Sequence, residues 1–81
     1  MKDAQKFWED KANILLLGRR IVKVYWMSEK EAKQCHWNKR PLIFHLDDDS
    51  RIIPQCDDEG NDGGALWVGS KDGEEEVLPV F

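Results

Sequence analysis

Between Ala4 and Leu15 the apolar positions recur at spacings of three and four. Ala4, Phe7, Trp8, Ala12 and Leu15 share one stripe with Lys11 in its middle, and polar residues lie opposite. That period is helical. Asp3 offers a capping oxygen ahead of the first turn, and Gly18 can adopt the left-handed conformation that ends a helix. The pattern predicts a first helix over about 4–16.

The period then changes. Residues 20–27, Arg-Ile-Val-Lys-Val-Tyr-Trp-Met, are β-branched and aromatic and predict a strand. Val22, Val24 and Trp26 make the more apolar face and are expected to point inward, which leaves Tyr25 on the other face. Ser28, with Glu31 three residues on, matches the capping box that opens a helix, here a short one over about 29–35. His36-Trp37-Asn38 ends it, and Pro41 blocks continuation. Leu42, Phe44 and Leu46 alternate with Ile43 and His45, a half-buried strand. Asp47-Asp48-Asp49-Ser50 is a turn, and Arg51–Gln55 reads as the returning strand, at an edge because Pro54 lacks a donor. Ala65–Val68 and Val77–Phe81 are two further strands around a polar turn at 69–73.

Short connections make these neighbours antiparallel. The expected fold is α+β: an N-terminal helix, then a small curled antiparallel sheet or a partly open SH3-like barrel of four to five strands, with one short inserted helix. The expected organisation is a single domain over 1–81, with the helix in 1–17 and a β-rich body in 18–81.

Composition narrows the function classes. Twelve basic residues face sixteen acidic ones, a net charge of −4. That disfavours nucleic acid and anionic membrane surfaces, which call for a basic face. The charge is uneven. Residues 1–41 hold ten Lys/Arg against five Asp/Glu, net +5, and residues 42–81 hold two against eleven, net −9. The split reads first as a solvated surface with two ends of opposite sign, and alternatively as complementary patches for head-to-tail or two-fold self-association. No apolar run approaches the ~20 residues that span a bilayer, and none resembles a secretory leader. A cytoplasmic location is expected, with Cys35 and Cys56 reduced.

The densest segment is Asp57-Asp58-Glu59-Gly60-Asn61-Asp62-Gly63-Gly64, a surface loop ahead of Ala65. Read as a calcium loop from Asp57 it places Asp62 at the position that needs glycine and Val68 at the position that needs glutamate, so the motif fails. The spacing of Cys35, His36, His45 and Cys56 does not follow structural zinc patterns. Ser28 is explained by capping, and Ser50 and Ser70 sit in turns. No catalytic residues, metal ligands or cofactors are therefore assigned. Four Trp, three Phe and one Tyr are more aromatic surface than 81 residues bury easily. Trp and Tyr are common at binding hot spots, and Tyr25 and Trp37 are the aromatics expected at the surface.

Ile21-Val22-Lys23-Val24-Tyr25-Trp26-Met27-Ser28, Glu31-Ala32, Trp37, Arg40-Pro41-Leu42-Ile43, the segment from Asp57 to Leu66 and Leu78-Pro79-Val80 together resemble a family of small uncharacterised bacterial and phage-associated proteins. That family carries a Tyr-Met-(Ser/Thr)-x-x-Glu-Ala segment and an Asp-Asp-Glu-Gly-Asn-x-Gly-Gly-Ala-Leu segment. The resemblance covers roughly 18–81, and this chain departs from it by placing Trp26 between Tyr25 and Met27. It implies no named activity.

The expected function is a non-enzymatic protein-interaction module, such as a phage or mobile-element accessory protein that binds a host protein. Its contact residues would be Tyr25, Trp37, Asp57, Asp58, Glu59, Asn61 and Asp62, and its partner a protein, with a homodimer as one form. The alternatives are a structural subunit of a larger assembly, or a small-ligand or metal-binding domain that uses loop 57–64.

Overall fold

A computed structural model describes residues 2–81. Helix α1 (Lys2–Leu16) is followed by strand β1 (Ile21–Trp26), helix α2 (Glu29–Gln34), β2 (Leu42–Leu46), β3 (Arg51–Ile52), β4 (Leu66–Gly69) and β5 (Glu75–Leu78). The α+β class expected from the pattern is what forms. The strands divide between two antiparallel sheets, β1-β2-β3 and β4-β5, and no barrel closes.

The break between the sheets has a local cause. Pro54 has no N–H, so β3 stops at Ile52 instead of running to Gln55. Only an isolated bridge, Gln55 with Gly63, continues the pairing. Pro79 ends β5 early in the same way. The last residue still closes a pair of backbone bonds, from Arg40 N–H to the Phe81 carbonyl (2.7 Å) and from Phe81 N–H to the Arg40 carbonyl (3.1 Å).

Register decides where the core lies. Tyr25 pairs with Ile43, Val24 with Phe44 and Trp26 with Leu42, after a bulge at Val22. The capping box swings α2 over the Tyr25–Ile43 face. Met27, Ala32 and Ile43 are buried there, with Tyr25, Trp37 and Ile53 packed against them. The expected orientation of β1 is therefore corrected. The face holding the core is the one with Tyr25, while Val22 and Val24 stand half open to solvent and Trp26 nearly so. A short helix with a single buried Ala can cover only a small face, and it covers the one onto which Ser28 turns the chain. Leu42 and Leu46 are buried on the opposite face, but the strand beside them is not.

The ends of α2 are well formed. Ser28 Oγ accepts from Glu31 N–H at 3.1 Å, half of the capping box. The Glu31 carboxylate reaches Arg51 instead of the cap, at 2.7 and 3.3 Å. At the C-terminus, His36 takes a positive φ of 61°. Trp37 N–H bonds the Ala32 carbonyl (2.9 Å) and His36 N–H the Lys33 carbonyl (3.1 Å). That is a Schellman motif, with a histidine where glycine is usual, and it delivers Trp37 back onto the core.

Candidate functional site

Loop 57–64 hangs beneath α2 and is organised by its own side chains. Asp57 accepts from Glu59 N–H (2.9 Å), Asn61 N–H (3.3 Å) and Asn61 Nδ2 (2.8 Å). Asp62 Oδ1 accepts from the N–H groups of Asn38 (3.1 Å), Lys39 (2.9 Å) and Gly63 (2.8 Å). Trp37 Nε1 donates to the Gly60 carbonyl at 2.8 Å. Each of these bonds spends a loop acceptor on the protein itself.

The pKa directions follow. The Asn61 side chain, helped by backbone N–H groups, holds the Asp57 carboxyl below the usual aspartate range. Partial burial pushes Asp62 up, yet the N–H groups of Lys39, Gly63 and Asn38 together outweigh it and leave this carboxyl lowered. Arg51, bonded to it, lowers Glu31. Arg51 is itself raised by Glu31 first and by Tyr25 second.

The glycines belong to the same construction. A Cβ on Gly63 would stand 2.6 Å from Pro41 Cδ and 2.8 Å from the Lys39 carbonyl oxygen, and one on Gly64 would stand 2.8 Å from the Gln55 backbone. Loop and body meet there at distances only glycine permits.

The sequence-predicted residues are thus brought together, but not as one open surface. Trp37, Asp62, Asp57 and Asn61 form a strap that holds 57–64 to the end of α2. Asp58 and Glu59 stay at its exposed tip. Tyr25 and Trp37 are not the surface aromatics expected of them: both are half-buried against the Met27–Ala32–Ile43 cluster. Trp37 does keep one edge on an open cleft of about 290 Å³, shared with Glu29, Lys33, Arg40 and Phe81. Cys35 and Cys56 are free and exposed. Among the described residues, no group of three or more His, Cys, Asp or Glu is placed to hold a metal ion. No helix among them is long and apolar enough to cross a membrane.

The exposed aromatic surface lies elsewhere. Every described side chain of α1 faces solvent. Phe7 is 57% exposed, Trp8 61% and Ile14 74%. Lys11 Nζ lies 5.8 Å from the Phe7 ring centroid and 5.4 Å from that of Trp8, so a cation sits beside both rings in the middle of the stripe. Leu17 projects beyond the helix end, where Gly18 turns the chain at φ 79°. A second open pair, Trp67 with Val77, crosses β4 and β5. The sequence did carry a signal for α1: Ile14-Leu15-Leu16-Leu17 puts apolar groups all round the last turn, more than one shallow sheet face can cover.

Compared with models of known protein families, with curated proteins and with solved structures, the chain matches none.

Proposed function

We propose that this chain is a non-enzymatic protein-interaction module whose contact surface is the apolar stripe of α1. The observation that supports this reading is the Phe7–Trp8–Ile14–Leu15 face of α1, all four of whose side chains are more than half exposed. Monomeric proteins rarely leave such a contiguous apolar patch without a partner, and an amphipathic helix offered to a groove is a common recognition mode. The acidic strap serves this surface indirectly, by fixing α2 and the sheet. On this reading the partner is a host protein in the cytoplasm, met by a phage or mobile-element accessory protein, or a neighbouring subunit within an assembly.

The test compares proteins captured by the wild-type chain and by a Trp8→Glu variant. Stoichiometric partners held by the wild type and lost by the variant are expected. Identical capture by both would remove α1 from the function.

A further inference from the structure

We infer that the partner of α1 is a second copy of this chain, with the helix of each copy laid across the open β1 face of the other. The inference rests on the reading of α1 as a contact surface and names what it contacts.

Three observations carry it. The first is area. The accessible surface is 6692 Å² for a 9.5 kDa chain, whereas a compact monomer of that mass exposes about 5,000 Å². The radius of gyration is 14.3 Å, against about 11.7 Å for a compact chain of this length. The surplus of roughly 1,600 Å² per copy exceeds the ~800 Å² per partner of a standard interface.

The second is that the chain leaves two apolar surfaces partly open, and their lengths match. One is the α1 stripe. The other is the face of the three-stranded sheet turned away from α2, where Ile21 and Val24 are about half exposed and Phe44 and Ile52 are partly buried. Register puts Val24 beside Phe44, and Phe44 beside Ile52, in a row across the sheet. Fifteen helical residues extend about 22 Å, and six residues of β1 about 20 Å, so one helix covers one sheet face from end to end.

The third is that α1 meets its own sheet at its last turn, where Ile14, Leu15 and Leu16 border an open cleft of about 260 Å³ with Leu46 and Ile52, and leaves Phe7 and Trp8 exposed. The linker after Gly18 is pinned by Arg19 N–H to the Leu16 carbonyl (3.1 Å), by Asp47 N–H to the Arg20 carbonyl (2.9 Å) and by Arg19 Nε to Asp48 Oδ2 (3.2 Å). These bonds fix the linker between the last turn of α1 and the start of β1. A two-fold axis then satisfies both surfaces of both copies at once, which closes the assembly at two. Lys11 leaves its position beside the rings and extends its stem to the rim, as long cationic side chains do.

Sedimentation of the full chain tests this directly. The wild type is expected to dimerise at micromolar concentration. Trp8→Glu on the helix and Val24→Glu on the sheet are each expected to weaken the dimer about thirtyfold or more, the range of an interface hot spot. Both positions are exposed in the free chain, so far-ultraviolet circular dichroism should remain that of the wild type. Val24→Thr, which keeps the β-branch, provides a milder version should the charge disturb the strand. The decisive step is to mix the two monomeric variants. A heterodimer retains one intact helix-on-sheet contact and is expected to form, while either variant alone stays monomeric. Dimers unaffected by both changes at Val24 would mean pairing of helix with helix and would overturn the arrangement, as would a mixture that stays monomeric. A wild-type chain that is monomeric at 100 micromolar overturns the choice of a second copy. If that monomer still captures a different protein through Trp8, the broader reading of α1 stands.

Discussion

The indole N–H of Trp37 and the carbonyl of Gly60 meet at 2.8 Å across twenty-three residues of sequence. This bond joins the end of α2 to the acidic loop, and the Trp37 ring also closes one side of the small core. The side chain does both jobs, so its variants should separate them. Trp37→Phe keeps most of the ring and loses the bond, an expected cost of about 1 kcal/mol. Trp37→Ala also opens the core and should cost about 2–4 kcal/mol, a large share of the ~5 kcal/mol that a domain this small can have. Urea denaturation at low protein concentration measures both.

His36 occupies a left-handed position, φ 61°, where it ends α2. A side chain there carries a steric cost that glycine avoids. The bonds of the Schellman motif are all backbone, and His36 is exposed, so little else depends on its identity. His36→Gly should stabilise the fold by about 0.5–1 kcal/mol, raising the urea midpoint without changing the slope.

Much of this arrangement was legible in the chain, and the part that was not has a physical explanation. Ser28 with Glu31 marked the start of α2 and Gly18 the end of α1, because each acts through its own backbone chemistry; the strands expected to run past Pro54 and Pro79 stop short of them. The face of β1 was not legible. Val22, Val24 and Trp26 are the more apolar set, and alternation ranks faces by composition alone. The core instead follows α2, whose direction comes from the Ser28 cap and the Glu31–Arg51 pair, a contact between residues twenty apart. Trp37 and Tyr25 are half-buried for the same reason: they lie on the side α2 covers. The site shifted with them. Tyr25 and Trp37 pack against the core, whereas Phe7 and Trp8 of α1, which an amphipathic pattern assigns to a core, are more than half exposed.

Acid should loosen the strap before it unfolds the sheet. The Asp57 and Asp62 carboxyls are both held below the ordinary value, so in the unfolded chain, with pKa about 3.9, they take up protons more readily than in the fold. Their contribution to stability is complete above that value and is lost as pH falls through the lower, folded values. Protection of the amides of Asn38, Lys39 and Gly63, the three donors to Asp62, relative to their intrinsic exchange rates should therefore fall below about pH 4. Asp62→Asn retains an acceptor oxygen and should remove much of this pH dependence. Asp62→Ala should expose the three amides at every pH and lower the melting temperature.

Gly63 is a position where added bulk has nowhere to go. The Pro41 ring and the Lys39 carbonyl that a Cβ would strike are parts of the backbone framework, and Pro41 is itself fully buried. Gly63→Ala should cost about 1–3 kcal/mol through overpacking and disturb the amide signals of 38–41 together with those of the loop. Gly73, with open space around its Cα but a φ of 88°, should be destabilised by alanine through backbone strain alone, with no change at 38–41.

Stability should also depend on protein concentration, and in a way that isolates α1. Where folded copies associate and unfolded ones do not, mass action raises the melting temperature as the chain is concentrated. Trp8 is exposed in the free chain, so Trp8→Ala removes almost nothing from a lone fold; exposed substitutions of this kind usually change stability by less than about 0.5 kcal/mol. At nanomolar concentration the variant and the wild type should therefore melt together. At tens of micromolar the wild type should melt several degrees higher and the variant should not follow. Parallel curves at both concentrations would mean that Trp8 contributes to no association, whereas divergence with concentration ties the ring to a contact that forms only between molecules.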